Sequence, residues 1–371
     1  MLMTTSVQTW SRKILRKQTA FLEADKEGLL SRKKGLPREK DCRRQSAEVG
    51  QMGKNILEVK HMTVTIYEHG EAYKVVNRIS FTVGEGEIVG IVGESGCGKS
   101  MTALALQDLL KNHIKVTEGS MMFNGRDLRT ISAAERRQIN GSDMTMIFQE
   151  PMTSLNPLYR IGAQVGEVLM LHGHHSRSEI EERTIEALRM AGLPDPEKTM
   201  RMYPHELSGG MRQRVMIAMG IIAQPKLLIA DEPTTALDVT TQAHVLELLH
   251  RINQQTGTAI LLISHDLGVI NKICSRVLVM YAGKIVEQGR TEDILRNPVH
   301  PYTQGLIASI PTRSMKGRPL ASIPGRVPPV TEEKPPCPFA SRCDKADKRC
   351  FTEYPGRKTI SDEHILWCHI E

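Results

Sequence analysis

A glycine-rich loop between an apolar run and an amphipathic stretch constrains the fold of this 371-residue chain more than any other feature. The loop, GESGCGKS at Gly93–Ser100, matches the phosphate-binding pattern G-x-x-x-x-G-K-[ST]. It follows IVGIVG and precedes SMTALALQDLL, in which apolar residues recur at helical spacing. Glycines let backbone N–H groups approach phosphate oxygens, and the helix N-terminus adds a partial positive charge. The sequence therefore predicts a nucleoside triphosphate site in an α/β fold.

The loop residues divide into one charged group, one hydroxyl and a set of backbone donors. Lys99 is expected to neutralise the β- and γ-phosphates, and Ser100 to place its hydroxyl on Mg²⁺. Cys97 is interpreted as a residue whose backbone matters and not as a reactive thiol. Further nucleotide contacts are expected from the residues around them: Gly93, Ser95, Gly96, Gly98 and Met101.

Three further apolar runs end in polar residues that suit phosphoryl transfer. KLLIADEP ends in Asp231, which can hold Mg²⁺ through water, and Glu232, which can polarise the water that attacks the γ-phosphate. MTMIFQEP supplies Gln149 for the metal or the water, and LLISHD supplies His265 for the γ-phosphate. Continuous apolar runs are typical of parallel strands, whose carboxyl ends lie at one edge of the sheet. We therefore expect a catalytic group of Glu232, His265 and Gln149 at that edge.

A second anion-binding element lies in ELSGGMRQRVMIAMGII. Ser208 is a good helix cap, and Gly209 and Gly210 permit close backbone approach, so the helix can present its N-terminus to a phosphate. With this stretch the chain resembles the ATP-binding subunits of ABC transporters. The resemblance rests on motifs that occur in order over about residues 55–290: GESGCGKS, Gln149, LSGGMRQR, LLIADEP, ALD at Ala236–Asp238, and SHD with His265.

The resemblance implies an α/β fold of the P-loop NTPase class. The ABC cassette, expected at residues 54–290, would contain a RecA-like core, an antiparallel β subdomain and a helical subdomain at about residues 150–225. Residues 1–53 lie outside the family pattern and are expected from their charge to be a basic, disordered extension. A small C-terminal region of the oligopeptide-transporter type, with four cysteines, would follow at residues 291–371.

The resemblance also implies how nucleotide is bound. Two cassettes of this family meet head to tail, so Ser208–Gly210 of one chain would touch the γ-phosphate held by the partner's loop. ATP would close the pair and hydrolysis would open it. Asp238 of the ALD motif is included among the nucleotide-binding residues, and Tyr67, with Tyr73 as the alternative, is expected to stack on adenine.

Within this family, EPMTSLNPLYRIGAQVGEVL and NPVHPYTQGLIASIP resemble ATPases of the dipeptide, oligopeptide and nickel importer group, most closely the D-type subunit. The resemblance implies a second, F-type ATPase in a heterodimer, two transmembrane permease subunits and, indirectly, an extracytoplasmic substrate-binding protein. The chain would then be peripheral, at the cytoplasmic face of the membrane. Its cargo stays open among dipeptides, oligopeptides and nickel.

The charge distribution argues against a nucleic-acid partner. Residues 1–50 hold +6 of the net charge of +7, so the body of the chain is nearly neutral and has no basic footprint. The main alternative is a soluble ABC ATPase that acts on nucleic acid or ribosomes, which the single cassette and the absence of heptads disfavour. For the basic head we expect a mobile tail. An amphipathic membrane-surface helix and a biological start at Met52 are the alternatives.

Four cysteines near the C-terminus have the spacing C-x5-C-x6-C-x17-C: Cys337, Cys343, Cys350 and Cys368. This spacing fits neither the paired C-x2-C zinc pattern nor common ferredoxin patterns. A metal would stabilise a tail that cannot build much core of its own. The family resemblance favours a [4Fe–4S] cluster, while zinc and no metal at all stay open.

Overall fold

The structure, a computed structural model, describes residues 54–149, 154–173, 175–235, 237–310, 322–331 and 334–370. The expectations for the head at residues 1–53 and for Ala236 lie outside the described residues. In chain order the strands are β1 Asn55–Glu68, β2 Glu71–Gly84, β3 Ile88–Val92, β4 Ile114–Phe123, β5 Arg126–Asp127, β6 Met144–Ile147, β7 Leu227–Asp231, β8 Ala259–Ser264, β9 Arg276–Tyr281, β10 Lys284–Arg290, β11 Arg357–Thr359 and β12 Ile365–Trp367. The helices are α1 Lys99–Leu106, α2 Ala133–Ile139, α3 Ile161–His172, α4 Arg177–Met190, α5 Pro196–Thr199, α6 Gly209–Ile221, α7 Val239–Thr256, α8 Leu267–Ile273, α9 Thr291–Arg296, α10 Pro301–Ala308 and α11 Lys348–Thr352.

A four-stranded antiparallel sheet has the order β2-β1-β4-β5. In β1, Leu57 and Val59 are buried, and a register shift between Val59 and Met62 keeps Met62 and Val64 buried as well. A slip of one residue turns side chains to the opposite face, so an irregularity in the strand can preserve one buried face. This sheet is the antiparallel β subdomain that the sequence predicted.

The larger sheet has the order β11-β12-β10-β9-β3-β8-β7-β6, and its strands from β9 to β6 are parallel. In β8, Ile260 and Leu262 pack in the core beside the helices, whereas Leu261 and Ile263 pack in the core shared with the antiparallel sheet. A strand buried on both faces needs apolar residues at every position, which confirms the interpretation of the continuous runs. Strands β3, β7 and β8 therefore deliver the phosphate loop, Glu232 and His265 to one edge.

Helices α3, α4 and α6 share one apolar core. Their side chains are buried in a single cluster that includes Val165, Leu169, Leu188, Val215 and Ile217. The three helices fall within residues 150–225, where a helical subdomain is expected, and the same cluster continues into the main sheet through Leu228 and Ile260. Within the described ranges, no helix is both long and apolar enough to cross a lipid bilayer.

The C-terminal residues return to the main sheet. Strands β9 and β10 form a hairpin, with Ala282 and Gly283 at φ 43° and 84° in its turn. Strand β12 then pairs with β10, where Leu366 lies opposite Glu287, and β11 pairs with β12. The sequence did not predict β11 or β12, because strands of three residues are too short to show a clear alternation.

Candidate functional site

The phosphate loop leaves β3 through glycines that touch neighbouring backbone. A Cβ at Gly93 would lie 2.1 Å from the Met280 carbonyl oxygen. One at Gly98, which has φ 106°, would lie 2.9 Å from the Val75 carbonyl oxygen. Helix α1 begins directly afterwards, at Lys99. Glycine is therefore required at both positions by packing, and Gly98 also needs the left-handed conformation that glycine adopts without strain.

Lys99 and Cys97 lie inside the loop. The buried Lys99 donates from Nζ to the carbonyl oxygens of Gly93 at 2.7 Å and Glu94 at 3.0 Å. Burial raises the pKa of the Cys97 thiol, against the opposing effect of the Lys99 charge. A buried thiol with a raised pKa is a poor nucleophile, in keeping with a packing role. The other predicted residues of this stretch lie nearer the surface: Ser95 and Gly96 are exposed, and Met101 is half-buried.

Ser100 and Asp231 are joined by a hydrogen bond, in which Ser100 Oγ donates to Asp231 Oδ1 at 3.0 Å. Asp231 ends β7, and burial raises the pKa of its carboxyl to about 6, with the charge of Glu232 acting in the same direction. A divalent cation favours the ionised carboxylate, and hydroxyl, carboxylate and amide oxygens are ligands that Mg²⁺ accepts. Ser100, Asp231 and Gln149 therefore fit the predicted magnesium site by their chemistry.

Glu232 is the point at which the three predicted catalytic side chains meet. Its Oε2 accepts hydrogen bonds from Gln149 Nε2 at 3.0 Å and Thr235 Oγ1 at 2.9 Å, and lies 3.3 Å from His265 Nδ1. The Glu232 side chain is 11% exposed and that of His265 is 57% exposed. A carboxylate fixed by neighbours and open to the surface can take a proton from a water molecule. Thr235 was not predicted from the sequence, although it follows in the same EPTT stretch.

The second predicted phosphate-binding element is the exposed N-terminus of α6. Ser208 caps this helix, because its Oγ accepts a hydrogen bond from the Met211 N–H at 3.3 Å. A Cβ at Gly209 would meet no atom within 4 Å, and one at Gly210 would lie 3.3 Å from Thr241 Cγ2. In the part of the chain that the structure describes, no hydrogen bond joins Ser208, Gly209 or Gly210 to the phosphate loop.

Asp238 and Tyr67 occupy positions compatible with their predicted roles. Asp238 caps α7, and its Oδ1 accepts from the N–H groups of Thr240 and Thr241, both at 3.0 Å. Tyr67 lies near the end of β1 and is 47% exposed, while Tyr73 on β2 is half-buried. Tyr67 is the more exposed of the two tyrosines, and its stacking on adenine stays a prediction.

Two residues from beyond position 290 reach the phosphate loop. The Glu94 N–H donates to the Tyr302 hydroxyl at 2.8 Å, and the Glu94 carboxylate forms an ion pair with Arg342 at 2.7 Å. Sequence reasoning missed both contacts. Their partners are 208 and 248 residues apart in the chain, and no local pattern signals such a pairing.

The four C-terminal cysteines lie close together. Burial raises the pKa of the Cys337 thiol to about 11, and the thiols of Cys350, Cys368 and Cys343 add to the rise. All four are free thiols. Among the residues that the structure describes, however, no group of three or more His, Cys, Asp or Glu side chains is arranged to hold a metal ion. The donor chemistry fits a cluster, but the arrangement does not support the iron–sulfur expectation.

Comparison with known proteins agrees with this site. Residues 76–235 match the family model for ABC transporters, and residues 286–350 match the model for the C-terminal region of oligopeptide/dipeptide transporters. The chain is 44% identical to the dipeptide transport ATP-binding protein DppD of Bacillus subtilis (strain 168), over 85% of this chain and 95% of the relative. It is 47% identical to the oligopeptide transport ATP-binding protein OppD of Salmonella typhimurium (strain LT2), over 81% of this chain and 89% of the relative.

A solved structure gives the same result for the fold. The ATP-binding cassette MJ0796, a dimer in a post-hydrolysis state bound to ADP and Pi, aligns with a TM-score of 0.57 and 28% identity. The alignment covers 63% of this chain and 98% of that cassette. The phosphate loop, the residues that meet at Glu232 and the extent of these matches show that the chain belongs to the ABC transporter family, among its dipeptide and oligopeptide ATP-binding subunits.

Proposed function

We propose that this chain hydrolyses ATP to power the import of peptides through partner permease subunits at the cytoplasmic face of the cell membrane. One observation carries the proposal: Gln149, Thr235 and His265 converge on the carboxylate of Glu232, next to the Ser100–Asp231 pair. The relatives named for dipeptide and oligopeptide transport, which match over most of the chain, support peptides as cargo.

Different residues of the site bind the phosphates, hold the metal and accept the proton. Lys99 and the loop N–H groups bind the β- and γ-phosphates, and Ser100, Asp231 and Gln149 would hold Mg²⁺. The metal supplies positive charge against the phosphate oxygens. Glu232 takes a proton from the water that attacks the γ-phosphate, as the fixed carboxylate oxygen can do.

His265 has a separate part in this proposal. Its ring is largely exposed and touches Glu232 through Nδ1, so it can present the other nitrogen to the γ-phosphate. A hydrogen bond there would stabilise the charge that gathers on the phosphate oxygens in the transition state. His265 is thus proposed to bind phosphate while Glu232 handles the proton.

The partner in the ATPase dimer is proposed to be a second, F-type subunit. Ser208–Gly210 forms no hydrogen bond with the described phosphate loop of its own chain. Ser208 and Gly209 are exposed and Gly210 is half-buried, so this helix N-terminus can face a nucleotide on another cassette. The similar cassette MJ0796 is a dimer. Mixing this chain with the F-type subunit and ATP should give a 1:1 heterodimer, and a homodimer alone would contradict this part of the proposal.

A pull-down tests the transport function directly. The tagged full-length chain, extracted from membranes in mild detergent, should co-purify with two polytopic permease subunits. Retention on DNA or ribosomes without a membrane partner would contradict the importer and favour the soluble ATPase. Uptake of labelled dipeptide, oligopeptide and nickel in a strain that lacks the chain then identifies the cargo. We expect peptide uptake to be lost and nickel uptake to persist.

We also propose that Cys337, Cys343, Cys350 and Cys368 hold a [4Fe–4S] cluster, which would require the four thiols to move from the positions seen in the structure into a metal-binding arrangement. The proposal is supported by the four free thiols and by their proximity, since Cys350, Cys368 and Cys343 are near enough to raise the pKa of Cys337. Iron would have to displace the thiol protons, because only thiolates ligate it. Anaerobic protein should be brown with a broad visible absorbance that Cys343→Ser removes. Colourless protein that contains neither iron nor sulfide would contradict a cluster, and zinc in its place would indicate a structural site.

A further inference from the structure

The phosphate loop forms an ion pair with a residue 248 positions further along the chain. Arg342 donates from one terminal nitrogen to Glu94 Oε2 at 2.7 Å and from the other to Glu94 Oε1 at 3.1 Å. The Arg342 side chain is only 6% exposed. Two parallel hydrogen bonds between a guanidinium and a carboxylate fix orientation as well as distance. Glu94 is the second residue of the loop, directly after Gly93.

Arg342 is itself held from several sides. Its other contacts include the carbonyl oxygens of Pro324 at 2.7 Å and Ile323 at 3.2 Å, and the hydroxyl of Tyr281 at 3.3 Å. Burial lowers the pKa of the Arg342 guanidinium, but the hydrogen bonds to Glu94 and Tyr281 outweigh this effect and raise it. The guanidinium therefore stays charged and has little freedom to move.

An aromatic cluster of Tyr281, Tyr302 and Phe339 packs beside the Arg342 guanidinium. The ring centroids of Tyr281 and Tyr302 lie 4.7 Å apart, and Phe339 meets Tyr281 edge to face at 5.2 Å. Tyr281 ends β9, which pairs with the strand that leads into the loop, and Tyr302 belongs to α10. Arg342 and Phe339 both belong to the C-terminal segment that contains the four cysteines, Cys337–Cys368. This segment therefore contacts the phosphate loop directly, through Arg342 and Glu94.

The backbone of Glu94 is also hydrogen-bonded on both sides. Its N–H donates to the Tyr302 hydroxyl at 2.8 Å, and its carbonyl oxygen accepts from the Cys97 N–H at 3.3 Å and from Lys99 Nζ at 3.0 Å. Every polar group of Glu94 therefore has a partner. A loop fixed in this way loses less conformational freedom when it binds phosphate, which favours binding.

We propose that Arg342 is a positioning residue for nucleotide binding, which acts through Glu94 to hold the phosphate loop in one conformation. The inference rests on the ATP site proposed above. It assigns the C-terminal segment a role at that site, whereas the proposed function needs only the residues between Gly93 and His265. The side-chain hydrogen bonds of Arg342 go to Glu94, Tyr281 and the backbone at 323–325. Its loss should therefore act through the loop and weaken ATP binding more than it slows turnover at saturating ATP.

The test compares ATP binding and hydrolysis in full-length variants, by calorimetric titration and by phosphate release. Arg342→Gln and Glu94→Gln should each raise the Kd for Mg-ATP about tenfold or more, the expected effect of losing a charge-assisted contact. The double variant should be no weaker than either single variant, because the two changes break the same contact. Arg342→Lys keeps the charge and one hydrogen bond, so it should recover part of the affinity.

A matched control lies seven residues away. Arg349 is 58% exposed and pairs with Asp347, so Arg349→Gln removes an arginine from the same segment and should leave the Kd unchanged. Tyr302→Phe removes only the hydroxyl that accepts from the Glu94 N–H. It should also raise the Kd, and it provides an independent variant if Arg342→Gln does not fold.

The outcomes separate this inference from the proposed function. Failure of the wild-type chain to bind Mg-ATP would remove the proposed function itself. Wild-type binding together with unchanged Kd values in folded Arg342→Gln and Tyr302→Phe would overturn the positioning role alone. Additive losses in the double variant, or a fall in kcat at unchanged KM, would also overturn it, since either result means that Arg342 acts by another route.

Discussion

Glu232 combines an uncommon backbone conformation with a full set of side-chain contacts. Its φ of 48° lies in the left-handed region, which costs a non-glycine residue about 1–3 kcal/mol. The strain is offset because the Glu232 N–H donates to the Ile263 carbonyl oxygen at 3.0 Å and the side chain accepts from Gln149 and Thr235. The neighbouring strand therefore holds the backbone in the conformation that presents the carboxylate to His265.

The carboxyl of Asp231 predicts a pH-dependent stability. Its pKa is about 6 in the folded chain and near 4 when unfolded, so the folded state loses stability as pH rises from about 4 to 6 and then stays lower. Without Mg²⁺ and nucleotide, Asp231→Asn should stabilise the chain at about pH 7.5 by up to about 3 kcal/mol, and by roughly half as much at about pH 5. Urea unfolding at the two pH values measures this difference.

Asp238 gives the matching control for this prediction. Hydrogen bonds from Thr241 lower the pKa of its exposed carboxyl, so its ionised form stabilises the folded chain above the unfolded pKa. Asp238→Asn should therefore destabilise the chain slightly at neutral pH, opposite in sign to Asp231→Asn. A gain from Asp231→Asn that does not change with pH would contradict the assigned cause.

The buried carboxylate of Glu287 links strand β10 to the C-terminal segment. Glu287 is fully buried, and its two oxygens accept from the N–H groups of Val299 at 2.9 Å and His300 at 3.2 Å. His364 Nε2 lies 2.8 Å from Glu287 Oε1. One side chain thus joins a strand of the main sheet, the start of α10 and the loop before β12.

Removal of this carboxylate should loosen the C-terminal segment. Glu287→Ala leaves two backbone N–H groups and His364 without their acceptor, and we expect a loss of about 3–5 kcal/mol, as for other broken buried pairs. Glu292→Ala is the control, because Glu292 is 66% exposed and pairs with Arg296 on the surface of α9. Thermal unfolding should separate the two variants by several degrees, and equal midpoints would contradict the role of Glu287.

The elements also show which parts of the fold were predictable. The runs that form β7 and β8 are apolar at every buried position except their last residues, Asp231 and Ser264, so burial on both faces could be inferred from the sequence. The cap at Ser208 and the hairpin at Gly283 follow local rules in the same way. Strands β11 and β12 could not be predicted, since three residues show no period and their partner β10 is far away in the chain.

In the site, too, residues at strand ends could be predicted, whereas long-range side-chain contacts could not. Gln149, Glu232 and His265 each end or follow an apolar strand, and parallel strands must bring such residues to one edge of a sheet. Thr235 and Arg342 reach the site through side-chain geometry that no spacing rule contains. The long-range contact of Arg342 with Glu94 in particular joins residues 248 positions apart, which no local pattern signals.

Within the described part of the chain, no hydrogen bond joins the phosphate loop to the N-terminus of α6, which is the second predicted phosphate-binding element. Gly209 is exposed, and a Cβ there would meet no atom within 4 Å, so Gly209→Asp should fold normally. Its carboxylate would lie where the partner's γ-phosphate is expected. Mg-ATP should still bind to the phosphate loop of this chain, while dimer closure is lost and hydrolysis falls at least about tenfold through charge repulsion.

Gly209→Ser separates charge from size in this prediction. Serine adds a small neutral side chain at the same position and should keep most of the activity. Analytical ultracentrifugation with the partner ATPase and ATP measures closure in both variants. If Gly209→Asp dimerises and hydrolyses ATP like the wild type, the N-terminus of α6 does not face the partner's nucleotide.

Replacing Glu232 by glutamine tests whether this residue takes the proton from the attacking water. The amide keeps the shape and the hydrogen-bonding reach of the side chain but cannot act as the base. Phosphate release at saturating Mg-ATP, measured with the partner ATPase present, should fall at least about a hundredfold while ATP binding is kept, and ATP should trap a closed dimer. Hydrolysis at the wild-type rate in this variant would contradict the assignment of Glu232.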